Sequence, residues 1–152
     1  MIAIGSDHAG FELKEIIKEY LDQRGIEYKD FGTFDKTPTD TADIAQPVAE
    51  AVANNECERG ILICGTGIGM SIAANKVPKI RAALVENVFS AKSSREHNNA
   101  NIICLGARVI GSGLALMIID TWLNTEFKGE DKRIRRINKI TNIERKYCNI
   151  TK

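Results

Sequence analysis

Residues 60–74 read Gly-Ile-Leu-Ile-Cys-Gly-Thr-Gly-Ile-Gly-Met-Ser-Ile-Ala-Ala. Ile61, Leu62 and Ile63 form an unbroken apolar run, the pattern of a strand buried on both faces. The run empties at Cys64 into a turn with glycine at 65, 67 and 69, and a helix is expected from Gly69 to Asn75. Cys64 then stands at the carboxyl end of a strand, beside unpaired N–H groups of the turn and the helix start. Such a place suits an anion and favours a thiolate over a thiol.

The same unit, strand then helix, recurs on both sides of this stretch. Ile2 to Gly5 is an apolar run that opens into Ser6-Asp7-His8-Ala9-Gly10. Leu13, Ile16, Ile17, Tyr20 and Leu21 follow at helical spacing, and Gly25 ends that helix. A weaker strand spans Glu27 to Phe31, then a polar loop spans Thr33 to Asp43, then a helix carries Ile44, Val48, Ala51 and Val52. Lys79 to Val85 reads as the fourth strand, and Asn87 as the cap of a helix from Val88 to His97. Asn101 to Leu105 is the fifth strand, ending in Gly106-Ala107-Arg108. Leu114 to Leu123 is apolar nearly all round, which predicts a helix buried on more than one side.

Five alternations with short links predict an α/β fold: a five-stranded parallel sheet flanked by helices on both faces, a Rossmann-like three-layer sandwich, as one domain over residues 1–152. Such sheets bind ligands beyond the carboxyl ends of their strands, where the strand order switches. Asp7, His8, Cys64 to Gly69, Glu86, Asn87 and Arg108 are all expected on that rim. Asp7 could equally serve as the N-cap of the first helix.

An extra C-terminal helix, about residues 131–147, carries Ile134, Ile137, Ile140 and Ile143 in a narrow stripe suited to a partner subunit. Beside the stripe lie Lys132, Arg133, Arg135, Arg136 and Lys139. Lys132 and Arg136 are four apart and Arg133 and Arg136 three apart, so either pair can face one phosphate. A solvated basic face is the plainer alternative.

Composition narrows the function classes. With 43% hydrophobic residues, 27% charged and a net charge of +1, no global field gathers nucleic acid or an anionic membrane. No apolar run approaches the roughly 20 residues of a membrane span. The first residues enter a strand without a basic n-region or cleavage site, so a cytoplasmic protein is expected. Cys57, Cys64, Cys104 and Cys148 form no Cys-x-x-Cys pair, and only His8 and His97 are available as imidazoles, so no metal site is expected. Cys57, Cys104 and Cys148 read as small buried residues.

Four familiar motifs fail at the glycine turn. A dinucleotide fingerprint needs glycine where Met70 stands, and a P-loop needs a lysine that is absent. A nucleophile elbow would use Ser71, but that residue lies past the turn, inside the helix. A cysteine phosphatase loop would need arginine in place of Met70.

Ser6-Asp7-His8-Ala9-Gly10, the run from Gly60 to Gly69 continued by Ser71 to Lys76, and Ser94-Arg95-Glu96-His97-Asn98 together resemble ribose-5-phosphate isomerase type B, within the wider ribose/galactose-phosphate isomerase family. The likeness covers nearly the whole chain. It implies interconversion of ribose 5-phosphate and ribulose 5-phosphate, a step of the pentose phosphate pathway, without metal or organic cofactor. It also implies a homodimer, in some members a tetramer, with the active site shared between subunits. By the family's pattern Cys64 is the base, Thr66 assists it and His97 helps open the furanose ring. Gly65, Gly67, Ile68 and Gly69 would cradle the enediolate, and Asp7 and Asn98 would hold sugar hydroxyls. His8, Arg108, Lys132 and Arg136 would take the phosphate, with Arg133 competing for the place of Lys132. The family often shows Asp-Tyr-Pro where this chain has Asp40-Thr41-Ala42, so an aromatic contact is missing and a six-carbon 6-phosphate stays open as substrate. A non-catalytic sugar-phosphate or nucleotide binding module is the alternative of another class.

Overall fold

Five strands, β1 (Ile2–Ser6), β2 (Tyr28–Asp30), β3 (Arg59–Cys64), β4 (Ala82–Leu84) and β5 (Ile102–Gly106), pair in parallel in the order β2-β1-β3-β5-β4 in the computed structural model, which describes residues 1–148. The helices are α1 (Phe11–Gln23), α2 (Thr41–Ala53), α3 (Ile68–Ala74), α4 (Val88–Asn98), α5 (Ser112–Asn124) and α6 (Asp131–Tyr147). The three central strands read as near-continuous apolar runs because helices cover both of their faces. On one face Ile4, Ile61, Ile63, Ile103 and Leu105 meet Leu13, Ile17 and Leu21 of α1 and Ile118, Ile119 and Trp122 of α5. On the other, Leu62, Cys64, Ile102 and Cys104 meet Ile44, Val48 and Val52 of α2 and Met70 and Ala74 of α3.

Register fixes what stands level with what. Ser6 pairs with Ile63, and Cys64 pairs with Gly106, so β1, β3 and β5 end on one rim. Gly60 pairs with Ile102 at the opposite edge. Each connecting helix returns the chain from the first edge to the second, as parallel pairing requires.

Four expectations are corrected. The fourth strand is three residues, not seven: Lys79 has φ +72°, and the Arg81 N–H bonds the side chain of Asn101 before the ladder begins. Helix α5 is buried on one side only, because Met117 is 60% exposed while Ile118 and Ile119 are fully buried. Cys148 is exposed rather than buried. Asp7 does not cap α1; Gly10 holds that position, without a side-chain cap. Cys57 and Cys104 are buried as expected, and burial pushes both thiols above their ordinary pKa.

Helix α6 has no buried residue; Ile134, Ile140 and Ile143 are all exposed. It touches the body where Glu144 Oε2 accepts the Lys79 N–H at 3.0 Å. Ile140 also lines a cavity of about 250 Å³ with Ile80, Arg81 and Asn98.

One buried ion pair ties α1 to the edge strand β2 and to the loop beyond it. The Lys14 side chain is fully buried, and Nζ donates to both oxygens of Asp30 at 2.7 Å. Lys18 Nζ lies 2.9 Å from Asp30 Oδ2, and the Gly32 N–H donates to Asp30 Oδ1 at 2.9 Å. Burial alone would raise the Asp30 pKa, but the bonds from Lys14, Lys18 and Gly32 outweigh it and hold the carboxyl below the usual range. This contribution is therefore present above the unfolded carboxylate pKa and is lost as pH falls through the depressed folded value. Asp30→Asn takes from buried Lys14 the carboxylate that both of its short bonds reach, leaving only Glu15 at 3.6 Å, and should cost about 3–5 kcal/mol in denaturant unfolding at neutral pH. The gap between variant and wild type should shrink in acid; an equal gap at pH 7 and pH 3 would show that Asp30 is not the titrating partner.

Candidate active site

The rim at the carboxyl ends of β1, β3 and β5 is built around the turn after Cys64. Gly67 there has φ +78°, and a Cβ on it would lie 2.5 Å from Leu84 Cδ1 and 3.0 Å from the Leu105 carbonyl carbon. Glycine meets both demands, a left-handed backbone and no side chain. The far side is equally close: a Cβ at Gly106 would lie 2.7 Å from the Thr66 carbonyl oxygen. Ala107 N–H donates to the Cys64 carbonyl at 2.8 Å and Arg108 N–H to the Gly65 carbonyl at 2.9 Å, so β5 holds the turn past the last paired residues.

Within the turn, Cys64 Sγ accepts the Gly67 N–H at 3.1 Å, and Thr66 Oγ1 accepts the Ile68 N–H at 3.2 Å. Two N–H groups expected to cradle a substrate oxygen are thus already engaged. Cys64 is 5% exposed, reachable only from the rim. Helix α3, seven residues long, contributes less field than a long helix would. The direct bond from the Gly67 N–H matters more, because it fixes the sulfur within the turn.

Asp7 is buried beside this turn. Its N–H donates to the Ile63 carbonyl at 3.1 Å, and its Oδ1 accepts from Ala9 and Gly10 at 3.0 and 3.1 Å. Oδ2 is left with the Thr41 hydroxyl, 3.5 Å away. His8 Nδ1 accepts the Thr39 N–H at 3.2 Å, which places the ring proton of the neutral form on Nε2. Arg108 lies along Gly65, where a Cβ would be 3.4 Å from its Cδ and Nη1.

Thr39 is not singled out by the sequence, and Thr41 only as the place of a missing aromatic. Thr41 opens α2, and its methyl would be 3.2 Å from a Cβ on Gly69, so it lies between Asp7 and the glycine turn. The available signal was Thr39-Asp40-Thr41 just before a helical run, a start pattern that brings polar side chains to a helix end.

The remaining expected residues are elsewhere. Asn98 ends α4, and its carbonyl accepts from Arg81, which stands at the amino end of β4. Cys64 is four residues further along the sheet than Gly60 and Ile102, about 13 Å at strand rise. His97 and Asn98 therefore belong to the opposite edge. Helix α6 touches that edge through Glu144 and Ile140, and Lys132, Arg133 and Arg136 lie nearer its amino end. Lys132 pairs with Glu130 at 3.3 Å; Arg133 and Arg136 have no ion pair among the described residues. The chain thus carries Asp7, His8, Cys64, Gly65, Thr66, Gly67, Ile68, Gly69 and Arg108 on one rim and His97 and Asn98 at the other edge, with Lys132, Arg133 and Arg136 on the exposed helix α6.

Among the described residues no group of three His, Cys, Asp or Glu side chains could hold a metal ion, and no helix is long and apolar enough to cross a membrane.

Comparison with known proteins places this geometry. The profile described as Ribose/Galactose Isomerase matches residues 2–140. Ribose-5-phosphate isomerase B of Escherichia coli is 47% identical over 145 residues, 95% of this chain and 97% of that one. D-Erythrulose-4-phosphate isomerase of Pectobacterium atrosepticum is 48% identical over 130 residues, 84% of this chain and 85% of that one. The solved structure of Clostridium thermocellum ribose-5-phosphate isomerase B superposes with a TM-score of 0.94 at 55% identity, covering 96% of this chain and 98% of that chain. A profile match over most of the sequence, and relatives this similar along nearly their full length, mean that the chain belongs to the ribose/galactose isomerase family.

Proposed function

We propose that the protein interconverts D-ribose 5-phosphate and D-ribulose 5-phosphate, with Cys64 as the base. The observation that carries this reading is a nearly buried cysteine whose sulfur accepts a backbone N–H inside a glycine turn, with a buried carboxylate beside it. Proton removal next to a carbonyl needs a base close to C2 and donors at the developing oxyanion. In the proposed step the Cys64 thiolate takes the proton from C2 of the open-chain aldose, and the electron pair of that bond forms the enediolate double bond. The same proton returns to C1 while a proton moves from O2 to O1. The aldehyde carbon is reduced and C2 is oxidised within one molecule, so no external electron acceptor enters the balance.

Thr66 assists Cys64 and orders the turn through its bond to Ile68. Asp7 Oδ2 holds a sugar hydroxyl, and the remaining N–H groups of the Gly65–Gly69 turn meet the oxyanion. His8 and Arg108 take the phosphate. His97, Asn98 and the basic face of α6 act on the substrate held by a second copy, in a homodimer whose two sites each combine the two edges. Exposed Ile68, Ile72, Leu84 and Phe89 near the first rim, and Ile134, Ile140 and Ile143 on α6, are apolar surface such an assembly would cover. The protein is read as a cytoplasmic enzyme.

A second reading takes another chain length of sugar phosphate. It is favoured by Thr41, a small residue at the wall between Asp7 and Gly69, and covers six-carbon 6-phosphates as well as the four-carbon substrate named for the Pectobacterium relative.

Cys64→Ala should fold with an unchanged melting curve and lose about 10²–10⁴-fold in kcat for ribulose 5-phosphate formation. An unchanged rate would remove Cys64 as the base and favour a binding module, while a wild type inactive on the pentose but active on a hexose 6-phosphate would select the second reading. Arg136→Ala, and whichever of Lys132→Ala and Arg133→Ala disturbs the true partner, should raise KM more than they lower kcat. Steady-state kinetics on the three variants decides the register of α6. Gly106→Ala should displace the Thr66 carbonyl and lower kcat although it touches no substrate; activity equal to wild type would show that the turn tolerates the shift.

A further inference from the structure

The corner that carries His97 and Asn98 is held by a residue without a role so far. Arg81 lies just before β4, and its guanidinium is directed at the end of α4: Nε donates to the Asn98 carbonyl at 3.1 Å and to the Asn99 carbonyl at 3.0 Å, and Nη2 donates to the Asn99 carbonyl at 2.9 Å. The final carbonyls of a helix lack intrahelical partners, and a cation there also complements the helix dipole. Arg81 is itself anchored. Its N–H bonds Asn101 Oδ1 at 2.8 Å, and Asn101 Nδ2 bonds the Lys79 carbonyl at 2.9 Å.

From the other side Arg95 Nη1 donates to Asn99 Oδ1 at 3.0 Å and to the Ala100 carbonyl at 2.6 Å. Asn99, with φ +47°, makes the left-handed turn between the two arginines. The backbone at 98–100 is therefore clamped, whereas the side chains of His97 and Asn98 make no hydrogen bond among the described residues. Arg81 forms no ion pair among them either, and burial works against its charge, with Glu144 opposing that effect. Three bonds into one turn, rather than a carboxylate partner, are what this half-buried cation gains from its position.

We propose that Arg81 is a positioning residue for the isomerisation: it sets the backbone at Asn98 and Asn99, and thereby the place where His97 and Asn98 meet the substrate. The proposal rests on the reading of His97 and Asn98 given above. A lysine cannot reproduce the clamp, because one ammonium lacks the planar fork that reaches two successive carbonyls.

Arg81→Gln, Arg81→Lys, His97→Asn and the double variant Arg81→Gln/His97→Asn are compared with wild type in kcat and KM for ribose 5-phosphate, each after a melting curve confirms folding. Misplacement by about 1 Å can cost on the order of a hundredfold in rate, so Arg81→Gln should lower kcat by about ten- to a hundredfold, and Arg81→Lys by less. In the His97→Asn background the Arg81→Gln change should cost clearly less than in wild type, the remainder being the part that acts through Asn98, whereas in a Thr66→Ala background it should keep its full effect. Equal losses in both backgrounds would overturn the proposal, as would wild-type kcat in Arg81→Gln. If Arg81→Gln does not fold, the same comparison with Arg81→Lys decides. A fully active His97→Asn enzyme would instead remove the reading of His97 itself, and the role of Arg81 with it.

Discussion

Parallel pairing of β1, β3 and β5 is the constraint on which the site depends. Because Ser6 pairs with Ile63 and Cys64 with Gly106, the chain leaves all three strands at one level. Asp7 and Ala107 then each add one more backbone bond to β3, to the carbonyls of Ile63 and Cys64. The turn from Gly65 to Gly69 is held from both sides before any side chain is considered. The tolerance is small, since even one Cβ at Gly106 would reach 2.7 Å from the Thr66 carbonyl oxygen. A base that must stand within hydrogen-bond reach of a particular carbon benefits from such a frame.

The same geometry separates the residues. A helix that joins parallel strands starts at the carboxyl edge and ends at the amino edge, so the end of α4 cannot lie beside Cys64 in its own chain. His97 and Asn98 stand where Arg81 holds the end of α4, and α6 touches the same edge through Glu144. A two-fold arrangement that sets one edge of each copy against the other edge of its partner makes two equivalent sites at once. In the proposed dimer, phosphate would lie between His8 and Arg108 of one copy and the α6 cations of the other.

The fold was legible because its signals are local and repeated. Unbroken apolar strands alternate with helical spacing, and Gly25 and Asn87 mark helix boundaries that the structure keeps. Strand order was not legible, since β3 and β5 have equally apolar sequences and nothing local says that they pair. Helix α5 looked buried all round because composition alone cannot show that Met117 faces outward. At the site, Cys64, Asp7 and His8 followed from their places at strand ends. Thr39, and the approach of the Thr41 hydroxyl to Asp7, did not, because a loop of Thr, Asp and Pro reads as connection until its path over His8 and Asp7 is known. Helical spacing likewise put Lys132, Arg133 and Arg136 on one helix without saying which edge of the sheet that helix would reach.

The central claim is that Cys64 and His97 serve one reaction from two copies of the chain. Cys64→Ala and His97→Asn proteins, each strongly impaired alone, can be unfolded together in equal amounts and refolded. If the site is shared, half of the dimers are mixed and each mixed dimer has one intact site, so the mixture should regain about one quarter of the wild-type rate. A mixture that stays as inactive as its parents, with mixed dimers shown to be present, would contradict the account.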